Sequence, residues 1–387
     1  MRIVIAPDKF KGSLSASEVI KHLTIGLLAT DPVLDILGVP VADGGEGTLE
    51  AAIASGFTRR TVRVTGPTGQ PLDADFALRG DEAVIEMALA SGLAVLPDGM
   101  KDGRGATSLG TGHLIRAALD AGARTIVLGV GGSASTDGGA GIIKGVGGRL
   151  LDANGEELPD GGAALAHLDS IDLSRLDVRL RQTRFILASD VDNCLLGGQG
   201  AAAVSGPQKG LTPDDVGEVD NALAHFVATL AREIGKKAFD AATAPGSGAA
   251  GGVGYAGLAV LDAERRRGID IILEFTSLAA KLEGAALVIT GEGSLDEQSL
   301  GGKTPTGVAD AARAAGIPIV AVCGRTTLTE AQISTAGFQT VYSLTGIEDD
   351  IEKCINHAGT LMEVLGAIIA DDLASHEKLS PPGRALS

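Results

Sequence analysis

Short β-branched apolar runs in this chain stop, again and again, at acidic loops rich in glycine. RIVIA (2–6) leads into APDKFKGSLSASE (6–18), and ILGVPVA (36–42) runs into VADGGEGTLEAA (41–52). FILA (185–188) leads into ASDVDNCLLGGQGAA (188–202), and AALVI (285–289) into TGEGSLDEQSLGGKTPTG (290–307). Helical periodicity resumes after such loops. Ser15 and Glu18 have capping-box spacing, and Val19, Ile20, Leu23, Leu27 and Leu28 then fall on one helical face. A buried strand, a tight loop and a helix, repeated, make βαβ units and a parallel sheet.

The tail repeats this rhythm. A helix is expected at Gly307–Ala315, a strand at Pro318–Cys323, another at Thr340–Leu344 and a long helix at Glu352–Ala370, with Ser380–Ser387 as a frayed end. The middle differs. Val62–Gly80 reads as a hairpin turning at GPTGQP, Thr107–Ala121 and Glu218–Ile234 as helices, Thr125–Val130 as a strand that could return to the first sheet, and Gly246–Gly257 as a glycine-rich loop. At 387 residues the chain exceeds one ordinary core. The expected fold is α/β: a doubly wound parallel-sheet domain from both chain ends (1–68 plus 283–380) with an inserted mixed α/β domain (69–282). A cleft between them would hold the active site and close around substrate.

Charge narrows the function. A net charge of −17 argues against general nucleic-acid binding, and aromatic content of 3% without tryptophan argues against base-stacking platforms. Yet Lys9, Lys11, Lys209, Lys303 and Arg325 lie in or beside glycine-bearing loops. Cys194, Cys323 and Cys354 form neither a disulfide framework nor a zinc pattern, and the start of the chain lacks the regions of a signal peptide. A cytoplasmic protein with no membrane span is the expectation. Two-fold dimers are common among such enzymes, so a homodimer is one open state.

Carboxylates among glycines suit a cation held against phosphate, because glycine lets backbone N–H groups approach an anion. Ligands in open parallel sheets bind beyond the strand carboxyl ends, where the loops at 6–13, 42–47, 290–303 and 323–325 should meet. Any one of these loops could equally be a tight turn that needs glycine. Asp190 and Asp192 flank a turn after a strand, an arrangement for Mg²⁺ or for a solvated turn. No Walker A motif is present, since Glu297 stands where its leading glycine would be. Two strings, GVGGSA (129–134) and GSGAAG (246–251), satisfy the dinucleotide pattern. They keep open an NAD(P)-dependent oxidoreductase acting on a small hydroxy acid.

Taken in order, APDKFKGSLSA, VPVADGGEGT, VGGSASTDGGAG, ASDVDN, GPQKG and TGEGSLDEQSLGGKTP strongly resemble the type I glycerate kinase family, over nearly the whole chain. Cys194 departs from the pattern, where members often carry proline. The resemblance implies ATP-dependent phosphorylation of D-glycerate with Mg²⁺, in two α/β domains, one Rossmann- or flavodoxin-like; the expected product is 2-phosphoglycerate.

Phosphoryl transfer depends on positioning and charge neutralisation. Lys9, Lys11 and Ser13 are candidates to hold phosphate or the glycerate carboxylate, and Asp43 and Glu46 the hydroxyls or Mg²⁺. Asp190 is the candidate base, and Lys303 the phosphate-contacting cation. Asp192, Glu292 and Asp296 are candidate metal or hydroxyl partners. Gly44, Gly45, Ser133, Asp137, Asn193, Lys209, Gly291, Gly293 and Arg325 complete the candidates for substrate or phosphate contact.

Overall fold

The computed structural model describes residues 1–375; the tail expected to fray lies outside them. In chain order the strands are β1 (Arg2–Pro7), β2 (Asp35–Gly38), β3 (Thr58–Thr65), β4 (Pro71–Arg79), β5 (Glu82–Glu86), β6 (Thr125–Gly129), β7 (Arg149–Leu151), β8 (Ser170–Asp172), β9 (Arg184–Ala188), β10 (Glu264–Arg266), β11 (Leu287–Leu295), β12 (Ile319–Thr326) and β13 (Val341–Ser343). The chain forms two compact units. The first comprises Met1–Asp43, Glu50–Ser55 and Ile269 onward; the second comprises Gly44–Leu49 and Gly56–Gly268.

The first unit is built on an all-parallel sheet ordered β13-β12-β11-β1-β2. Numbered within the unit this is 2-1-3-4-5, the flavodoxin-like order, whose switch point falls between β1 and β11. Ile3, Ile5, Leu287, Ile289, Val320 and Val322 are buried from these strands. Helices Ala16–Thr30 and Ala358–Ala374 cover them, packing backbone to backbone: a Cβ on Gly26 would stand 1.9 Å from the Glu363 carbonyl oxygen. The Ser15–Glu18 capping box forms as its spacing predicts. The single long helix expected at the end is broken in two, Ile351–Asn356 and Ala358–Ala374.

The second unit carries a mixed sheet ordered β10-β9-β6-β5-β4-β3, and β7 pairs with β8. The strands from β5 through β6 and β9 to β10 are parallel, whereas β3, β4 and β5 are antiparallel neighbours. Strand β6 lies in this sheet rather than the first. The expected boundary at residue 68 would cut a hairpin: β3 and β4 pair from Thr58↔Leu78 to Thr65↔Pro71, and two strands so paired belong to one sheet. The division therefore falls upstream, within 43–56, and the return at 268–269. The helix expected from Glu218 starts at Pro213, capped by Thr212 and Asp215. GSGAAGGVGYAG is largely a helix, Ala249–Ala259, distorted where Ala250, Gly251 and Gly252 take positive φ. Among the described residues, no helix is long and apolar enough to cross a membrane.

Candidate active site

At the switch point of the first sheet, β1 ends in Pro7 and the Asp8 amide donates to the Gly291 carbonyl (2.8 Å). This bond holds the loop after β1 against β11. Asp8 is buried; one carboxylate oxygen accepts from the Lys9 amide (2.7 Å) and the other from the Thr304 hydroxyl (2.7 Å). Burial, and then the Asp43 carboxylate, push the Asp8 carboxyl up to about 6. Glu292, in β11, is pushed up to about 7, first by burial; Asp8 and Asp296 raise it further, while Lys303 pulls it down. Its Oε1 is buried without a hydrogen-bond partner.

The chain makes room here with glycine. A Cβ on Gly324 would lie 2.6 Å from the Gly293 carbonyl oxygen, so β12 accepts no side chain at this point. Gly302, at φ 97°, turns the chain into Lys303, the N-cap of helix Thr304–Ala314. The free N–H groups and positive end of that helix, with the Lys303 ammonium, make an anion-binding corner. Arg325 donates from Nε to the Ser294 hydroxyl (3.3 Å). These elements surround a cavity of about 550 Å³ lined by Asp8, Lys9, Lys11, Ser13, Asp43, Glu292, Gly293, Asp296, Lys303 and Arg325, among others. Gly291 lies in the strand below, its α-carbon turned to the Val322 carbonyl.

The other candidates lie in the second unit. Gly44 and Gly45 press onto the ends of its parallel strands: a Cβ on Gly129 would meet the Gly44 oxygen at 2.4 Å, and one on Gly131 the Gly45 α-carbon at 2.6 Å. The glycines of GVGGSA thus admit the chain's own backbone where a dinucleotide pyrophosphate would have to sit. GSGAAG is packed in the same way, with a Cβ on Gly251 only 2.0 Å from the Ser135 oxygen. Glu46 is exposed.

Asp137 is buried and saturated: it accepts from the Ser108 amide and hydroxyl (both 2.8 Å), the Gly139 amide (3.0 Å) and the Gly141 amide (3.1 Å). Burial raises its pKa against those donors. Lys209 is buried, donating to the Ser133 hydroxyl (2.7 Å) and the Ser135 carbonyl (2.6 Å), and burial pulls its ammonium down to about 7. At the end of β9, Asp190 accepts from the Gly268 amide (3.0 Å). Asp192 is largely exposed and pairs with Arg265 (2.7 Å), which makes it a poor metal ligand. The Asn193 carbonyl accepts from the Gly248 amide (3.0 Å).

Three groups escaped the sequence reading. Asp8 was passed over for its neighbouring lysines, although an acid directly after a buried strand is itself a signal. Thr304, which orients Asp8, was marked only as the end of Gly302-Lys303-Thr304, which resembles the end of a Walker A motif. Glu86 is buried and accepts from the Gly47 amide (3.2 Å) and the Leu49 amide (3.1 Å). Its mark was a charge inside the apolar run AVIEM.

Among the described residues no cluster of three or more His, Cys, Asp or Glu is assembled as a metal cage. Mg²⁺ does not require one, since it is held by one or two carboxylates together with water and substrate phosphates. The partnerless Glu292 Oε1, among mutually repelling carboxylates, suits such an ion.

The profile of the Glycerate kinase family matches residues 3–374. A glycerate kinase of Bacillus subtilis is 43% identical over 98% of each chain. A glycerate 2-kinase of Escherichia coli is 44% identical over 89% of this chain and 90% of its own. A crystal structure described as a glycerate kinase 2 from Salmonella typhimurium superposes with a TM-score of 0.82 at 41% identity, covering 98% of this chain and 100% of that one. With matches of this extent in sequence and fold, the chain belongs to the glycerate kinase family and is a kinase, a transferase acting on an alcohol group.

Proposed function

We propose that this protein transfers the γ-phosphoryl group of ATP to the 2-hydroxyl of D-glycerate, giving 2-phosphoglycerate and ADP, in a reducing cytoplasm that suits its three free cysteines. The observation that carries this reading is the cavity at the β1/β11 switch point, where four carboxylates face three lysines and an arginine. The name of the E. coli relative supports the choice of product.

In the reaction, the acceptor hydroxyl oxygen bonds to the γ-phosphorus, the bridge to the β-phosphate breaks and ADP leaves. The hydroxyl proton passes to Asp190, the candidate base. Lys303 and the N-terminus of its helix hold the phosphate charge, which grows at the bridging oxygen as the bond breaks. Lys9 and Lys11 hold an anionic group of substrate. Asp8 and Glu292 would hold Mg²⁺, which when bound neutralises phosphate charge.

A coupled assay tests this directly: ADP should appear only when D-glycerate, ATP and Mg²⁺ are all present. Phosphorus NMR of the product should give 2-phosphoglycerate. A 3-phosphoglycerate signal would sink the regiochemistry, and absence of glycerate-dependent ADP the whole reading.

A further inference from the structure

The cavity of the first unit is not uniform. The charged residues lining it follow β1 or come from β11 and its loop: Asp8, Lys9, Lys11, Glu292 and Asp296, with Phe10 and Ser13 among them. Those beyond β13 are mostly apolar: Leu344, Ile351, Cys354 and Ile355, with Thr345. In the sheet order β13-β12-β11-β1 the charged residues follow β1 and β11 and the apolar ones follow β13, while the loop after β1 reaches across to the apolar group at Ser13. Arg325, from β12, lies between them.

Ile351 and Ile355 stand one helical turn apart and are 54% and 48% exposed. Two isoleucines lining a cavity and left half in water are an unfilled apolar contact. Leu344 and Cys354 lie buried beneath, and the Ser13 hydroxyl donates to the Ile355 carbonyl (3.1 Å). The chain just before this helix reads Glu348, Asp349, Asp350, with Glu348 paired to Lys353 (3.6 Å) and Asp350 capping the helix, so this end offers a phosphate no net positive charge. The cations that line the cavity, Lys9, Lys11, Lys303 and Arg325, come from the other strands and loops.

We propose that this apolar end takes the purine ring of the nucleoside triphosphate donor, with its phosphates directed along the strand ends toward Arg325, Lys303 and Lys9. The proposal rests on the phosphotransfer reading and adds where the nucleotide lies and which way round. A flat, largely apolar ring with a polyanionic tail matches a pocket apolar at one end and cationic at the other. Glycerate is small, anionic and hydroxylated, and offers nothing for two isoleucines to cover.

The test uses the full chain with Ile351→Ser and Ile355→Ser combined. The probes are fluorescent methylanthraniloyl-ADP for direct binding and inorganic tripolyphosphate as a competitor without a base. The variant should bind ADP about 10-fold more weakly and raise KM for ATP, with KM for glycerate unchanged. Tripolyphosphate should bind both proteins alike, and Ile355→Leu should restore most of the affinity. Unchanged ADP affinity in a folded variant would overturn the proposal. So would a rise confined to KM for glycerate, or a change in oligomeric state by light scattering with ADP affinity intact. A wild-type protein that binds ADP as described yet never phosphorylates glycerate would remove the glycerate reading and leave this one standing.

Discussion

Both units place glycine-rich, charged loops at the ends of parallel strands, and they use them in opposite ways. In the second unit the buried charges of Asp137 and Lys209 are consumed internally. Asp137 accepts four hydrogen bonds from Ser108, Gly139 and Gly141, and Lys209 is spent on Ser133 and Ser135. In the first unit Glu292 keeps a buried oxygen without a partner, and Asp8 and Glu292 hold their protons well above the usual carboxyl range. A saturated carboxylate stabilises a loop, whereas Glu292, crowded by Asp8 and Asp296 and with one oxygen unpartnered, suits a cation. The same residue types therefore serve packing in one place and line an open cavity in the other.

The comparison breaks most sharply at Asp190, which belongs to the second unit yet is the candidate base. Asp190→Asn should lower kcat by about 10³-fold, within the range for loss of a general base, with thermal unfolding little changed. Near-normal turnover would leave the chemistry to the first unit alone. The next largest effect concerns stability. Asp137→Ala strands several buried donors and should cost about 3–4 kcal/mol of unfolding free energy in urea titration. A fall in kcat/KM at full stability would instead place Asp137 in contact with substrate.

Lys303→Ala is the mirror image. It should lower kcat/KM by about 10²-fold, about 3 kcal/mol of transition-state stabilisation, and change folding by less than about 0.5 kcal/mol. Wild-type kinetics in a well-folded variant would remove Lys303 from the site.

The smallest effect concerns pH. Asp8 and Glu292 bind protons more tightly in the folded state, at about 6 and about 7, than at the ordinary values of 3.8 and 4.5. Their contribution to stability is thus full below about pH 4 and is lost as pH rises through those folded values. Mg²⁺ competes with those protons, so it should raise Tm by about 3 °C at pH 8 and hardly at all at pH 5. Glu292→Gln should remove most of the difference. Equal Mg²⁺ shifts at both pH values would mean the ion binds elsewhere.

Much of the first unit was legible because its signals are local. RIVIA, AALVI and PIVAVC are apolar apart from the leading Arg2, as buried parallel strands must be, and each ends at a loop that lines the cavity. Lys9, Lys11, Asp43, Glu292, Asp296, Lys303 and Arg325, all chosen from loops, line one cavity. The second unit was harder to read. Lys209 looked like a phosphate contact because a lysine between glycines reads the same whether its ammonium faces a ligand or a serine. GSGAAG read as a loop because glycine lowers helix propensity, but close packing holds it helical after its left-handed turn.

By itself the sequence determined the βα rhythm, the caps, the strand-end loops and, through the order of its motifs, the kinship with glycerate kinases. These rest on neighbours along the chain, and spacing records them. Only the tertiary structure decided the 2-1-3-4-5 order that brings residue 8 to residues 292 and 304, the sheet to which β3 and β6 belong, and which charged side chains find protein partners. Those outcomes depend on contacts that local spacing does not record, from hairpins and strand pairs tens of residues apart to the Asp8–Thr304 bond across 296 residues. Whether a carboxylate is saturated or left facing a cavity is set by what folds against it, and no local spacing encodes that.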